Sequence, residues 1–329
     1  MHHEGWKRRR WRCYSLAFGI SLSACECGEE PEEPPDAGPA GSSFSVIRSE
    51  AWTDPGAALA LAELVGTSSA PEALGRPGDR MGPRSLAAGP MGVLLLDAVR
   101  GRLMSFSVDG STHSVYRQDP SLAAALDVVI ASDGVIWVQA VSPCVCARRL
   151  GPGDEVVDVP LAEGLMAAKL IPMPRGDMAM GPSERVEVRS IYVDGAPLSE
   201  EEQLASRPTG FESHVEILPA PEEALSFVTL SGTRRVDLPG RPLAVELFGA
   251  GCRNSFQVAA LVFSREEGLL NVLTILDEAG AVARQVSAPA SEQFRTTQRS
   301  FAASGDGRVF QLRTGDEGYE IVEWNTGCP

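Results

Sequence analysis

The stretch GVLLLDAVRGRLMSFSVDG, Gly92 to Gly110, decides the reading of the fold. An apolar run, Val93–Leu96, stops at Asp97. A short turn through Gly101 follows, a second apolar run ends at Phe106, and Asp109-Gly110 turns the chain again. Two short runs bounded by Gly and Asp read as a β-hairpin whose second turn asks for a further strand.

The pattern recurs. From Phe44 onward no long amphipathic helix is visible. A small-residue turn followed by an apolar run appears in IASDGVIWVQA at Ile130, PMPRGDMAMG at Pro172, LPAPEEALSFV at Leu218, VFSREEGLLNVLTIL at Val262 and AASGDGRVFQL at Ala302. The turns centre on Gly92, Gly134, Gly176, Glu223, Gly268 and Gly307, so five steps cover 215 residues, a mean of 43. A period of about 40–50 residues with two or more turns per unit is the size of a four-stranded propeller blade. Such a unit cannot cover both of its faces alone, whereas radial stacking on neighbours does so. The expectation is an all-β chain, a six-bladed β-propeller of four-stranded blades. FSVIRSEAW, Phe44–Trp52, reads as an isolated strand that completes the last blade, which ends in YEIVEWNTGCP. Thr53–Pro83, with one helical stretch at Gly56–Gly66, reads as a crossing loop or part of an incomplete blade.

The unit Gly92–Gly110 resembles an NHL-type repeat: Asp97 takes the Asp place, Arg102 the Arg place, Phe106 the aromatic place and Asp109-Gly110 the turn. Arg100 stands where the family has Asn. The resemblance implies that Asp97 and Arg102 brace a blade turn, and it implies no ligand. The other units keep the turns and strands but not the Asp and Arg.

The start of the chain is of another kind. Lys7–Arg12 is a basic run, and Cys13–Ala24 is a short apolar run, below the ~20 residues of a membrane-spanning helix. Together they read as an export signal. Leu22-Ser23-Ala24-Cys25 resembles the lipobox of bacterial lipoproteins, which implies cleavage before Cys25 and its acylation; several acyl chains make a stable anchor where one does not. The expected layout is a signal peptide over residues 1–24, an acidic Pro-rich linker over 25–43 and a β-propeller domain over 44–329. The linker, with like charges and prolines, is expected to be extended and disordered. The formal charge is −15, and the first 24 residues carry +4, so the remainder carries −19. Such a chain repels phosphate backbones and excludes nucleic acid as a partner class.

Few residues suggest chemistry. Of seven cysteines, Cys13 lies in the signal and Cys25 at the lipid site. Outside the cytoplasm disulfides persist. Direct pairing within Pro143-Cys144-Val145-Cys146 reads as strained, so bridges from Cys144 and Cys146 to Cys252 and Cys328 are expected, with Cys27 free and the connectivity open. A metal at the Cys-x-Cys is the weaker alternative, because the usual ligand spacing is missing. His214 and Glu216 share one face of a strand without a third ligand. No G-x-S-x-G, phosphate-binding loop or dinucleotide fingerprint is present, and no catalytic or cofactor residue is assigned. Arg175-Gly176-Asp177 falls on a repeat turn, and Trp137 and Trp324 read as core.

The expected role is a lipid-anchored, extracytoplasmic binding or scaffolding module of the cell envelope. It would be monomeric and held to a membrane through Cys25, with protein or envelope polysaccharide as partner. The alternative is a metal-dependent propeller hydrolase or lyase with its site in the central channel, for which calcium is the candidate ion.

Overall fold

A computed structural model describes residues 44–51, 82–90, 92–98, 100–151, 155–165, 168–181, 188–206, 214–217, 222–229, 232–250, 256–277, 281–290, 297–314 and 318–326. The expected signal, lipobox cysteine Cys25, linker and helical stretch lie outside the described residues, as do Cys27, Trp52, Cys252 and Cys328.

The chain is a β-propeller. Strand β1 (Phe44–Ala51) comes first, and the sheets that follow take their strands in sequence order. The first sheet is β2 (Ser85–Gly89), β3 (Gly92–Asp97), β4 (Arg102–Phe106) and β5 (His113–Gln118). The second is β6 (Ala125–Ile130), β7 (Ile136–Ala140), β8 (Cys146–Leu150) and β9 (Val156–Pro160). The third is β10 (Lys169–Pro172), β11 (Met178–Gly181), β12 (Arg189–Val193) and β13 (Ala196–Pro197), followed by helix α1 (Glu200–Ala205). The fourth is β14 (His214–Ile217), β15 (Ala224–Thr229) and β16 (Gly232–Asp237). The fifth is β17 (Arg241–Ala250), β18 (Phe256–Ser264), β19 (Gly268–Leu276) and β20 (Val282–Pro289). The sixth is β21 (Phe301–Ala303), β22 (Val309–Thr314) and β23 (Gly318–Trp324), with β1 paired antiparallel to β23 as its outer strand.

Among the described residues, five sheets thus have four strands and the fourth sheet has three. Four-stranded sheets are the rule, as expected, and the residues just before β14 lie outside the described ones.

The first sheet has an inner-to-outer gradient. β2 and β3 are buried throughout, whereas β5 is exposed along nearly its whole length. Alternation along the buried strands sends side chains to both neighbouring sheets. Leu94 and Leu96 pack on Val128 and Val138 of the second sheet, while Leu86 and Leu95 meet Phe310 and Ile321 of the sixth. Trp137 and Ala147 pack on Leu170 and Met180. Leu225 and Phe227 meet Val262 and Leu270, and Leu273 meets Phe301 and Trp324. Covering a large apolar side chain contributes about 1.5–3 kcal/mol, and neither face of a sheet could obtain this without its neighbour.

Two glycines make the first unit possible. Gly92 has φ 135°, and a Cβ there would lie 2.0 Å from the carbonyl oxygen of Phe106. Gly110 has φ 68°, and its Cβ would lie 2.1 Å from the carbonyl oxygen of Ile47. The Asp109-Gly110 turn therefore sits hard against β1, where first and last sheets meet.

Candidate functional site at the propeller axis

The innermost strand of each sheet is its first, so side chains from several innermost strands that meet do so on the axis. Such a meeting exists and is ionic. Arg299, just before β21, donates from Nε to Asp127 Oδ1 at 2.9 Å and from Nη2 to Asp127 Oδ2 at 2.7 Å. Its Nη2 also donates to the Leu170 carbonyl at 2.5 Å. Asp127 lies on β6 and Leu170 on β10. The Ser85 hydroxyl of β2 donates to Asp127 Oδ1 at 2.6 Å, and the Leu170 amide donates to Oδ2 at 3.0 Å. One side-chain pair thus ties innermost strands of the first, second, third and sixth sheets. Lys169 of β10 adds an ion pair with Glu246 of β17 at 3.2 Å, bringing in the fifth.

The pair is almost free of water: 5% exposed for Arg299 and 1% for Asp127. Burial pushes the Asp127 carboxyl up, but the charge and hydrogen bonds of Arg299, the Ser85 hydroxyl and the charge of Lys169 outweigh it, so it sits below the ordinary carboxylate range. Burial pulls the Arg299 guanidinium down, and the charge and hydrogen bonds of Asp127 with the charge of Glu246 carry it above its usual value. Both remain ionised at neutral pH. Every Asp127 oxygen is committed to donors of the chain itself, which leaves the group a brace rather than a base.

Arg84, one residue before β2, joins this layer through its backbone. Its carbonyl accepts from the amides of Gln298 at 2.6 Å and Arg299 at 3.3 Å, and Ser85 forms a parallel bridge with Arg299. Its guanidinium is 1% exposed, and Nε and Nη2 have no hydrogen-bond partner among the described residues. Burial alone lowers its pKa.

None of Arg84, Ser85, Asp127 or Arg299 was singled out from sequence. A signal was present: Arg84-Ser85-Leu86-Ala87-Ala88 and Arg299-Ser300-Phe301-Ala302-Ala303 repeat one pattern 215 residues apart, the separation of Gly92 and Gly307. Lys169, the only lysine after Lys7, was a second.

The residues that sequence did single out lie elsewhere. Asp97 and Arg102 face each other across the β3–β4 turn, with Arg102 Nε 2.7 Å from Asp97 Oδ2, and the Arg100 amide donates to Asp97 Oδ1 at 3.3 Å. Burial holds the Asp97 carboxyl above its ordinary value despite Arg102. Cys144 and Cys146 are joined to each other, with Cα atoms 5.4 Å apart, not to Cys252 and Cys328. The expectation assumed both cysteines on one regular strand. Cys146 opens β8, but Cys144 lies in the bend before it, and that bend shortens the separation. Cys144, Cys146 and Asp158 form a cluster of metal-binding compactness among the described residues, but the sulfurs are spent on each other and Asp158 is held bidentately by Arg148 at 2.7 and 3.0 Å.

Arg175-Gly176-Asp177 is a packed turn. The Gly176 amide donates to Ser132 Oγ at 2.9 Å, and Asp177 Oδ1 accepts from the Asp194 amide at 2.9 Å. Trp137 and Trp324 are buried core side chains. The backbone of His214 and Glu216 lies on β14, paired with Val228 and Ser226.

No protein-family model matches the sequence, and no curated protein matches it. Solved structures do resemble it in fold. A putative gluconolactonase has a TM-score of 0.45 at 14% identity, covering 87% of this chain and 93% of that one. The PQQ-bound aldose sugar dehydrogenase of Streptomyces coelicolor has a TM-score of 0.42 at 12% identity, covering 87% and 99%. A virginiamycin B lyase from Staphylococcus aureus has a TM-score of 0.40 at 14% identity, covering 73% and 94%. These neighbours are enzymes by name, and the propeller assignment here stands on this chain's own sheet order and register.

Proposed function

We propose that the chain is a lipid-anchored β-propeller of the cell envelope that binds a partner rather than transforming a substrate. The observation that carries this reading is the saturated state of Asp127. A carboxylate at the axis that already accepts from Ser85, Leu170 and Arg299 has no lone pair free for a metal ion or a proton-transfer step. The axial charges lock innermost strands together, and a rigid frame of that kind presents loops for recognition. The anchor is Cys25, supported by the basic run, the apolar run and the Leu22-Ser23-Ala24-Cys25 sequence. Protein and envelope polysaccharide are the two partner classes.

The test is capture from detergent-solubilised membranes, with Cys25→Ala as companion. A reproducible partner, and loss of both lipid label and membrane association in the variant, is the expected result. No reproducible partner, together with one tightly held divalent metal per chain by elemental analysis, would replace this reading with the hydrolase or lyase alternative.

A further inference from the structure

Arginine uses one edge of its guanidinium repeatedly in this molecule. Nε and Nη2 of Arg148 hold Asp158 at 2.7 and 3.0 Å, those of Arg308 hold Glu323 at 2.6 and 2.7 Å, and those of Arg299 hold Asp127 at 2.9 and 2.7 Å. These two N–H groups are parallel and match the two oxygens of a carboxylate. In Arg84 the same two nitrogens are the ones without a partner among the described residues, and they are fully buried. Arg84 also occupies, in the repeated R-S-x-A-A pattern, the place of Arg299, whose edge is filled.

An unpaired buried guanidinium is among the costliest groups a fold can carry, and buried polar atoms without partners are rare enough to need a reason. Asp127 is committed to Arg299 and Glu246 to Lys169, so neither carboxylate serves Arg84.

We propose that the Nε–Nη2 edge of Arg84 receives the carboxylate of a small ligand. This assignment goes beyond the binding reading above and adds a small ligand to the protein or polysaccharide partner: a planar oxyanion, two oxygens on two parallel donors. Binding is saturable and needs no metal. A tetrahedral phosphate matches the edge less well, because Arg84 offers one planar fork.

The experiment is thermal unfolding of the full-length protein in detergent, titrated with sodium acetate or sodium phosphate against sodium chloride at matched ionic strength. Acetate is expected to raise the Tm saturably, by about 2–4 °C at concentrations well above its Kd. Arg84→Met should abolish that rise, and without acetate it should be at least as stable as wild type, since an unpaired buried charge has been removed. The Arg84 Nε–H resonance should move with acetate in step with the Tm. A destabilised Arg84→Met together with no acetate effect would show that the chain itself pairs Arg84, and would overturn the proposal. A rise with phosphate but not acetate would overturn the carboxylate assignment. Either result leaves membrane capture of a partner intact, so failure of the ligand class and failure of the binding reading are told apart.

Discussion

Asp127 and Arg299 are 172 residues apart in the chain and 2.7 Å apart in space. Removing one partner of a buried pair strands the other charge, at a cost of about 3–5 kcal/mol. Asp127→Ala should therefore lower the urea midpoint strongly. Asp127→Ala combined with Arg299→Met should recover much of the loss, because no charge is then left uncompensated. A double variant as unstable as the sum of the singles would show that the two residues act independently. The pH dependence follows from direction alone. Asp127 has a folded pKa below its unfolded value, so its stabilisation is fully present above the unfolded value and is lost as pH falls through the folded one. Asp97 behaves oppositely: its folded pKa is raised, so its contribution is present below the unfolded value and is lost as pH rises through the folded one. Asp127→Asn should flatten the acid limb of stability against pH, and Asp97→Asn should not. Unfolding midpoints taken from the ordinary carboxylate range downward would check this.

At the scale of the element, much was legible in advance and part was not. The hairpin of Gly92–Gly110 follows from short apolar runs and Gly-Asp turns, which are local signals. Strands β3 and β4 form there with Asp97 opposite Arg102. The bend at Cys144 was not legible, since a regular strand was assumed where the chain turns. Gly110 offers a test of the closure between β1 and the first sheet. With φ 68° and a Cβ position 2.1 Å from the Ile47 carbonyl oxygen, Gly110→Ala must push β1 away or distort the turn. A loss of about 1–3 kcal/mol in unfolding free energy is expected. Gly134→Ala serves as the control: its φ is also positive, but a Cβ there meets nothing within 4 Å. Equal losses at the two sites would mean that backbone strain alone, not the contact with β1, sets the effect.

For the whole molecule, the pairing of β1 with β23 turns a row of sheets into a ring. A chain begun at residue 52 would leave β23 as an open edge and uncover Ile47's partners Leu86, Phe310 and Ile321. Such a chain should unfold at lower temperature and self-associate, whereas a chain begun at residue 44 should unfold as the full protein does. Differential scanning calorimetry with size-exclusion chromatography compares the two, and equal stability would show that closure contributes nothing.

The amino-acid sequence by itself determined the strands, the 43-residue period and the use of an early strand to finish the last sheet. The strands and the period depend on neighbours in the chain and on alternation that any window reveals, and the early strand follows from the need of a ring of units to close. Only the tertiary structure decided which charges share the axis. Arg84, Asp127, Lys169, Glu246 and Arg299 belong to five different sheets, and residues so far apart meet only once the ring has closed. Their chemistry, including the unfilled edge of Arg84, depends on burial in common, and no local pattern encodes that.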